Sequence, residues 1–135
     1  MKKIGPKGSS QEKYIESIIR SLGYKPQLHI QSLPGKPDFV FPRKKKVVFV
    51  NGCFWHGHKN CKRTTLPSTN RKFWKDKIEG NVKRDRIVRR ELNKQGWRTL
   101  AIWQCQMSIS KRSSVEKRIL KFLTASSFKG VVGRK

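Results

Sequence analysis

The run "KVVFVN", residues 46–51, constrains the fold more than any other stretch of this chain. Val47, Val48, Phe49 and Val50 are apolar in succession, and three of them are β-branched, so the segment suits a strand. Because the apolar run does not alternate with polar residues, the strand has to be covered on both faces. A sheet with two covered faces needs helices as outer layers, and the flanking sequence offers them. Tyr14, Ile15, Ile18, Ile19 and Leu22 recur at helical spacing behind a cap at Ser9 or Ser10. Glu12 and Glu16 sit early in that helix, at the positive end of its dipole, and Gly23 stops it. "NRKFWKDKI" and "NVKRDRIVRRELNKQG" read as two helices broken near Gly80, and "SVEKRILKFL" as a closing helix. "LHIQSL", "DFVF" and "WRTLAIW" supply further strands. The order is α-βββ-loop-αα-β-α, an α/β sandwich around a mixed sheet.

The length of 135 residues suits one domain spanning 1–135, with residues 1–8 as a flexible basic arm and 126–135 as a disordered tail. Lys and Arg number 33 against 8 Asp and Glu, a net charge of +25, far beyond what solubility asks of so small a domain. The expected partner is a polyanion. A membrane surface would call for a basic amphipathic helix or a lipidation signal, and neither is visible. A solvated basic surface of the ribosomal or histone type stays open, since charge alone specifies no chemistry. No apolar run approaches the length of a membrane span, and "MKKIGPKGSS" does not resemble a secretory signal. The three cysteines are therefore expected to be reduced thiols in a cytoplasmic protein.

Those thiols lie in a telling place. "NGCFWHGHKNC", residues 51–61, opens a loop over 52–69 that is too long to be idle in a small domain. Cys53, His58 and Cys61 lie close together, and Cys105, after the last strand, could close a four-coordinate site. Three thiolates and one imidazole select zinc over magnesium, and a closed set of four leaves no open position, so such a metal would be structural. The alternative is three free thiols and two surface histidines. His56 and His58 compete for the ligand position, and the one left over is free for acid-base work.

In "PGKPDFVF", Asp38 opens a strand directly after Pro37. A rigid strand can hold such a carboxylate against a magnesium ion, with the main chain at Val50 and Asn51 brought to the same end of the sheet. Glu12 could add an outer carboxylate and His56 could move the proton. The plainer reading of Asp38 is a turn residue bonded to its own backbone. Phe54 and Trp55, with Trp74 on the following helix, are candidates for an apolar wedge that opens a duplex; Phe73 and Trp97 are expected in the core.

"SLPGKPDFV", "VVFVNGCFWHGHKNC", "FWKDKIEGNVKRDR" and "GWRTLAIWQC" together resemble, in order and nearly ungapped, the diagnostic blocks of the very short patch repair (Vsr) endonucleases. The resemblance covers about residues 1–110. It implies a restriction-endonuclease-like fold, a mixed central sheet flanked by helices with a structural zinc loop, and magnesium-dependent nicking 5′ to the T of T·G mismatches. By position it implies Asp38 and the carbonyl of Val50 as magnesium ligands, His56 as the acid-base residue, and Glu12 as the helix carboxylate nearby. It implies Cys53, His58, Cys61 and Cys105 as zinc ligands, and Phe54, Trp55 and Trp74 as intercalating aromatics. Lys77 and Asn81 match positions facing the mismatch, and Met1 a methionine wedging from the opposite groove. The family's Thr-His pair before Gly-Cys is Val50-Asn51 here, and Asn51 can hydrogen-bond where a histidine could carry a proton. The chain also begins short of the arm that some members lay on DNA, a place that phosphate contacts from the surplus Lys and Arg are expected to fill.

The partner implied is double-stranded, mismatched DNA, cut by a monomer associated with a bacterial-type nucleoid. Competing readings are a site-specific endonuclease of a restriction or mobile-element system, a zinc-stabilised DNA-binding module without catalysis, and a ribosomal-type RNA binder, which would have no use for an intercalating wedge.

Overall fold

A computed structural model describes residues 10–125, apart from the side chain of Arg63. The expected basic arm, the expected C-terminal tail and Met1 lie outside the described residues. Helix α1 spans Ser10–Ser21, strands β1, β2 and β3 span Gln27–Leu28, Phe39–Phe41 and Lys46–Asn51, helix α2 spans Arg71–Lys94, strand β4 spans Arg98–Trp103 and helix α3 spans Arg112–Thr124. Short 3-10 turns lie at Lys62–Thr64, Gln104–Gln106 and Ile109–Lys111.

The four strands form one mixed sheet in the order β1-β2-β3-β4. β1, β2 and β3 are antiparallel neighbours, with Phe39 opposite Val48, and β4 returns parallel to β3, with Val50 opposite Ile102. A parallel return needs a crossover, and the loop after β3 with α2 provides it. Alternation along the inner strands then separates two cores. Phe39, Phe41, Val48 and Ile102 meet Ile15, Ile18 and Ile19 of α1 and Val115, Ile119 and Leu123 of α3. Val40 and Val47 point the other way, onto Leu92 of α2, with Val88 and Trp97 packed alongside. The covered double-faced sheet inferred from "KVVFVN" is therefore observed, with β2 buried along its whole length as well.

Three local expectations need correction. α2 is one continuous helix of 24 residues through Gly80, without the break expected there. A glycine inside a helix costs only about 1 kcal/mol, and the anchors at Ile78, Val88 and Leu92 on either side of it outweigh that. "LHIQSL" pairs only at its start: β1 ends at Leu28 because His29 takes φ of 50°, in the left-handed region. Phe73, expected in the core, is 59% exposed, since it lies on the solvent side of α2. Trp97 does pack against the second core, with the Lys45 ammonium 4.7 Å from its ring centre.

Lys46 begins β3 as a buried lysine, which nothing in its sequence context signals. Its Nζ donates to the carbonyls of Phe122 and Ala125, both at 2.6 Å, and so satisfies the open C-terminal end of α3. Among the described residues no helix is long and apolar enough to cross a membrane.

Candidate active site and metal centre

The antiparallel pairing of β2 with β3 puts the residue before β2 beside the end of β3. Asp38 is that residue, and the Val50 N–H donates to its Oδ2 at 2.7 Å. This contact is made by the Val50 amide, a different atom from the carbonyl that the resemblance implies as a magnesium ligand. Glu12, in the first turn of α1, reaches the same place. So does His29, which the sequence reading missed: its Nε2 lies 2.7 Å from Glu12 Oε1. One ligand-type atom from each of Glu12, His29 and Asp38 falls within 4.8 Å of the other two. The left-handed backbone that ends β1 at His29 costs about 1–2 kcal/mol for a residue with a Cβ.

Burial pushes the Asp38 carboxyl up to about 7. The Val50 amide opposes that rise, while the neighbouring Glu12 carboxyl reinforces it by charge and by hydrogen bonding. The Asp38 carboxyl, buried beside a second acid, ionises cheaply only when a cation joins it. The donor set therefore fits a divalent ion that accepts oxygen ligands.

Val50, Asn51 and His56 line the same cavity, of about 290 Å³, as Glu12, His29 and Asp38. His56 and Asn51 also border a neighbouring cavity of about 230 Å³ beneath α2. His56 is fixed from that side: its Nδ1 lies 2.7 Å from Asp85 Oδ2 on α2, and since a carboxylate accepts, Nδ1 carries the proton. One turn earlier on α2, Asn81 Nδ2 donates to the carbonyl of Trp55 at 2.8 Å. Two side chains four residues apart thus hold two consecutive loop residues. Asp85 was also missed in the sequence, although its spacing from Ile78 and Leu92 places it on the inward stripe of α2, where an acid needs a reason.

The loop after β3 winds back on itself, the His58 N–H donating to the Cys53 carbonyl at 3.0 Å. That turn brings Cys53, His58, Cys61 and Cys105 together, with one ligand atom from each inside a mutual 4.8 Å. His56 is not in this group. Cys105 Sγ lies 3.5 Å from His58 Nδ1, close to the edge of about 3.5 Å that a tetrahedral zinc with ordinary Zn–S and Zn–N bonds spans. The His58 ring stacks on Trp103, 4.0 Å between centres and 5° from parallel, and the Thr64 hydroxyl donates to the His58 carbonyl at 2.8 Å. Burial pushes the Cys53 thiol up to about 11, against the Cys105 N–H that points at its sulfur. A buried thiol set of this kind is costly to ionise alone, and a bound metal provides the opposing charge. The residues present fit a tetrahedral metal.

Gly57 shapes the same loop. With φ of 57°, it lies so close to α2 that an added Cβ would be 2.6 Å from Val82 Cγ2 and 3.0 Å from Ile78 Cγ2. Beside it, Phe54, Trp55 and Trp74 form a mutual edge-to-face cluster with centres 5.3 to 5.8 Å apart, and Phe73 adds to it at 5.1 Å from Trp74. Trp55 is 37% exposed in the loop, and Lys77 is exposed on α2.

Comparison with known proteins identifies the family. The family model described as DNA mismatch endonuclease Vsr matches residues 1–63. The type II nicking enzyme V.XorIIP of Xanthomonas oryzae pv. oryzae is 43% identical over 108 residues, covering 80% of this chain and 79% of that protein. The DNA mismatch endonuclease Vsr of Escherichia coli is 38% identical over 107 residues, 79% of this chain and 68% of that protein. The type II nicking enzyme V.NmeAIP of Neisseria meningitidis is 35% identical over 107 residues, 79% of this chain and 76% of its own. At such identity, over most of each chain, common descent is the only economical explanation, and the chain belongs to the Vsr DNA mismatch endonuclease family.

Proposed function

We propose that this chain is a magnesium-dependent endonuclease that nicks one DNA strand 5′ to the T of a T·G mismatch, as a step of very short patch mismatch repair. The observation that carries the reading is that His56, held by Asp85, faces the same cavity as the paired carboxyls of Asp38 and Glu12. Binding alone needs no such pairing. The fold is read as restriction-endonuclease-like, and the protein as a monomer, since a single centre cuts a single strand.

Asp38 and Glu12, with the main-chain carbonyl of Val50, would hold the magnesium ion. When bound, magnesium offsets charge building on the scissile phosphate and makes water easier to deprotonate. Asp85 fixes the tautomer of His56, so Nε2 is the nitrogen that takes a proton from the attacking water or gives one to the leaving oxygen. Hydrolysis then forms one phosphorus–oxygen bond and breaks another, and the strand is nicked. Asn51, at the end of β3, contributes hydrogen bonds to the phosphate rather than a proton.

Cys53, His58, Cys61 and Cys105 would hold a structural zinc that pins the loop carrying Phe54, Trp55 and His56. Phe54, Trp55 and Trp74 would enter the base stack, where unstacking costs about a few kcal/mol and least at a mispaired step. Lys77 is positioned for the mismatch from α2, while Asn81 holds the wedge through the Trp55 carbonyl. The surplus of basic residues supplies phosphate contacts that add affinity without reading sequence.

The deciding experiment incubates the protein and magnesium with an end-labelled duplex bearing one T·G mismatch, beside a fully paired duplex and a His56→Ala control. A nick 5′ to the mismatched T, absent from both controls, is expected. Cutting of the paired duplex would replace this reading with a site-specific endonuclease, and tight binding without cutting with a non-catalytic module.

A further inference from the structure

We propose that His29 is a third side-chain ligand of the cation site at Asp38 and Glu12, and that its imidazole makes the site favour first-row transition-metal ions, manganese among them, over magnesium. The inference rests on the reading of Asp38 and Glu12 as a cation site, and it goes beyond that reading in naming a ligand and a metal class.

The geometry comes first. His29 Nε2 is 2.7 Å from Glu12 Oε1, and the donor atoms of Glu12, His29 and Asp38 share a span of 4.8 Å. One ion with bonds of about 2.2 Å bridges such a span with small side-chain movements. His29 is only 20% exposed at its side chain and Glu12 13%, so the cluster is largely shielded from solvent. The backbone makes the placement specific. His29 follows the last paired residue of β1, and its φ of 50° turns it out of the strand course that the alternating sequence would otherwise continue. Its own N–H still donates to the Asp38 carbonyl, at 3.3 Å, which locks the His29 and Asp38 main chains together. Strain of this sort persists where surrounding structure enforces it, and functional sites are where it gathers.

The chemistry follows from the donor types. Magnesium sheds water reluctantly and takes oxygen ligands almost exclusively. An imidazole nitrogen adds little for magnesium and increasingly more along the series from manganese to nickel. Two carboxylates, the Val50 carbonyl and one imidazole therefore make a mixed set in which magnesium is admitted and the borderline ions are preferred. Manganese is the useful probe, because it is paramagnetic and does not compete with zinc for thiolates.

His29→Gln separates ligation from simple orientation. Glutamine keeps an N–H for the Glu12 carboxylate and removes the nitrogen ligand. Mn2+ binding to the full chain is measured by electron paramagnetic resonance, Mg2+ binding by competition against it, and nitrogen coupling to the bound Mn2+ by the pulsed form of the experiment. The expected result is nitrogen coupling in the wild type and in His56→Ala, its loss in His29→Gln, and a fall of about tenfold in Mn2+ affinity there with Mg2+ changed by less than about twofold. Absence of nitrogen coupling in the wild type, with Mn2+ binding still abolished by Asp38→Asn, overturns the role of His29 and leaves the cation site standing. Equal weakening of both ions in His29→Gln likewise overturns the preference. Mn2+ binding untouched by Asp38→Asn overturns the cation site itself, and this inference with it.

Discussion

Asp85 Oδ2 lies 2.7 Å from His56 Nδ1, and this one contact joins the long helix of the crossover to the loop that follows the central strand. It selects a single tautomer of the imidazole and orients the ring toward the cavity shared with Asp38. Asp85→Asn keeps the shape but offers an amide that can donate to the ring, so both tautomers become available. Nicking turnover is expected to fall by about 10- to 100-fold, with affinity for the mismatched duplex unchanged. Single-turnover kinetics beside a binding titration separate the two quantities; equal loss of both would make Asp85 merely structural.

The Asp38 carboxyl gives a stability prediction with a defined sign. Its folded value of about 7 lies above the ordinary 3.8, so the folded chain holds this proton more tightly than the unfolded chain does. Stability is then lost as pH rises between those values, and the cost stays in full above the upper one. Asp38→Asn removes the ionisation and is expected to be more stable than the wild type at pH 8 by about 1–4 kcal/mol, with the difference vanishing near pH 4. Denaturant titrations across that range measure it. Saturating Mg2+ should close the gap at pH 8 by binding the ionised wild type alone.

Much of this arrangement is legible in the sequence, and the rest is hidden for identifiable reasons. "KVVFVN" announces a covered strand because an unbroken apolar run leaves no solvent face, and the Cys and His residues of the loop announce one another by type and density. Gly80 misleads because helix propensity is a small term beside the burial of Ile78 and Leu92. Phe73 misleads because an aromatic on a basic helix is read as core by its own hydrophobicity, whereas here it joins an exposed cluster. His29 is hidden most deeply. Alternation through "LHIQSL" argues for a strand, and only the left-handed turn at His29 brings its ring to Glu12. Asp85 could have been found, as an acid on the apolar stripe of α2.

Removing one member of the Cys and His cluster should cost folding rather than chemistry. Cys105→Ser replaces a thiolate with a hydroxyl that holds zinc poorly, and leaves Cys53, His58 and Cys61 without a fourth partner from the sheet side. Metal analysis is expected to show zinc near one equivalent in the wild type and well below it in the variant. The melting temperature should fall by about 10 °C or more, since a structural zinc contributes folding free energy directly. A strong chelator should reproduce the loss in the wild type and leave the variant unmoved.

Gly57 tests how closely the loop must approach α2. Alanine there meets both the left-handed backbone and a contact of 2.6 Å to Val82 Cγ2, a branched side chain with little room to yield. Gly57→Ala is expected to destabilise the fold by about 1–3 kcal/mol. Gly80→Ala is the matched control, because nothing lies within 4 Å of its added Cβ. In a helix interior that change is expected to stabilise by about 0.5–1 kcal/mol. Opposite signs from two glycine-to-alanine changes, read from denaturant midpoints, would separate packing from propensity.

Trp55 carries the prediction on recognition. Its ring is the exposed member of the edge-to-face trio with Phe54 and Trp74, and its carbonyl is held by Asn81, so the ring is positioned before any partner binds. Preorganisation of this kind means that little is lost in ordering the side chain on binding. Trp55→Ala removes a stacking surface worth about 1–3 kcal/mol per base. Affinity for a T·G duplex should therefore drop by about 10- to 100-fold, while affinity for the paired duplex, dominated by phosphate contacts, changes little. Asn81→Ala leaves the ring in place but frees its backbone, and a smaller loss confined to the mismatched duplex is expected. A fluorescent base analogue beside the mismatch reports the unstacking directly, by a rise in emission with the wild type that Trp55→Ala should lack. If the variant weakens both duplexes alike, Trp55 serves as a general contact and the discrimination of the mismatch lies elsewhere on the α2 surface.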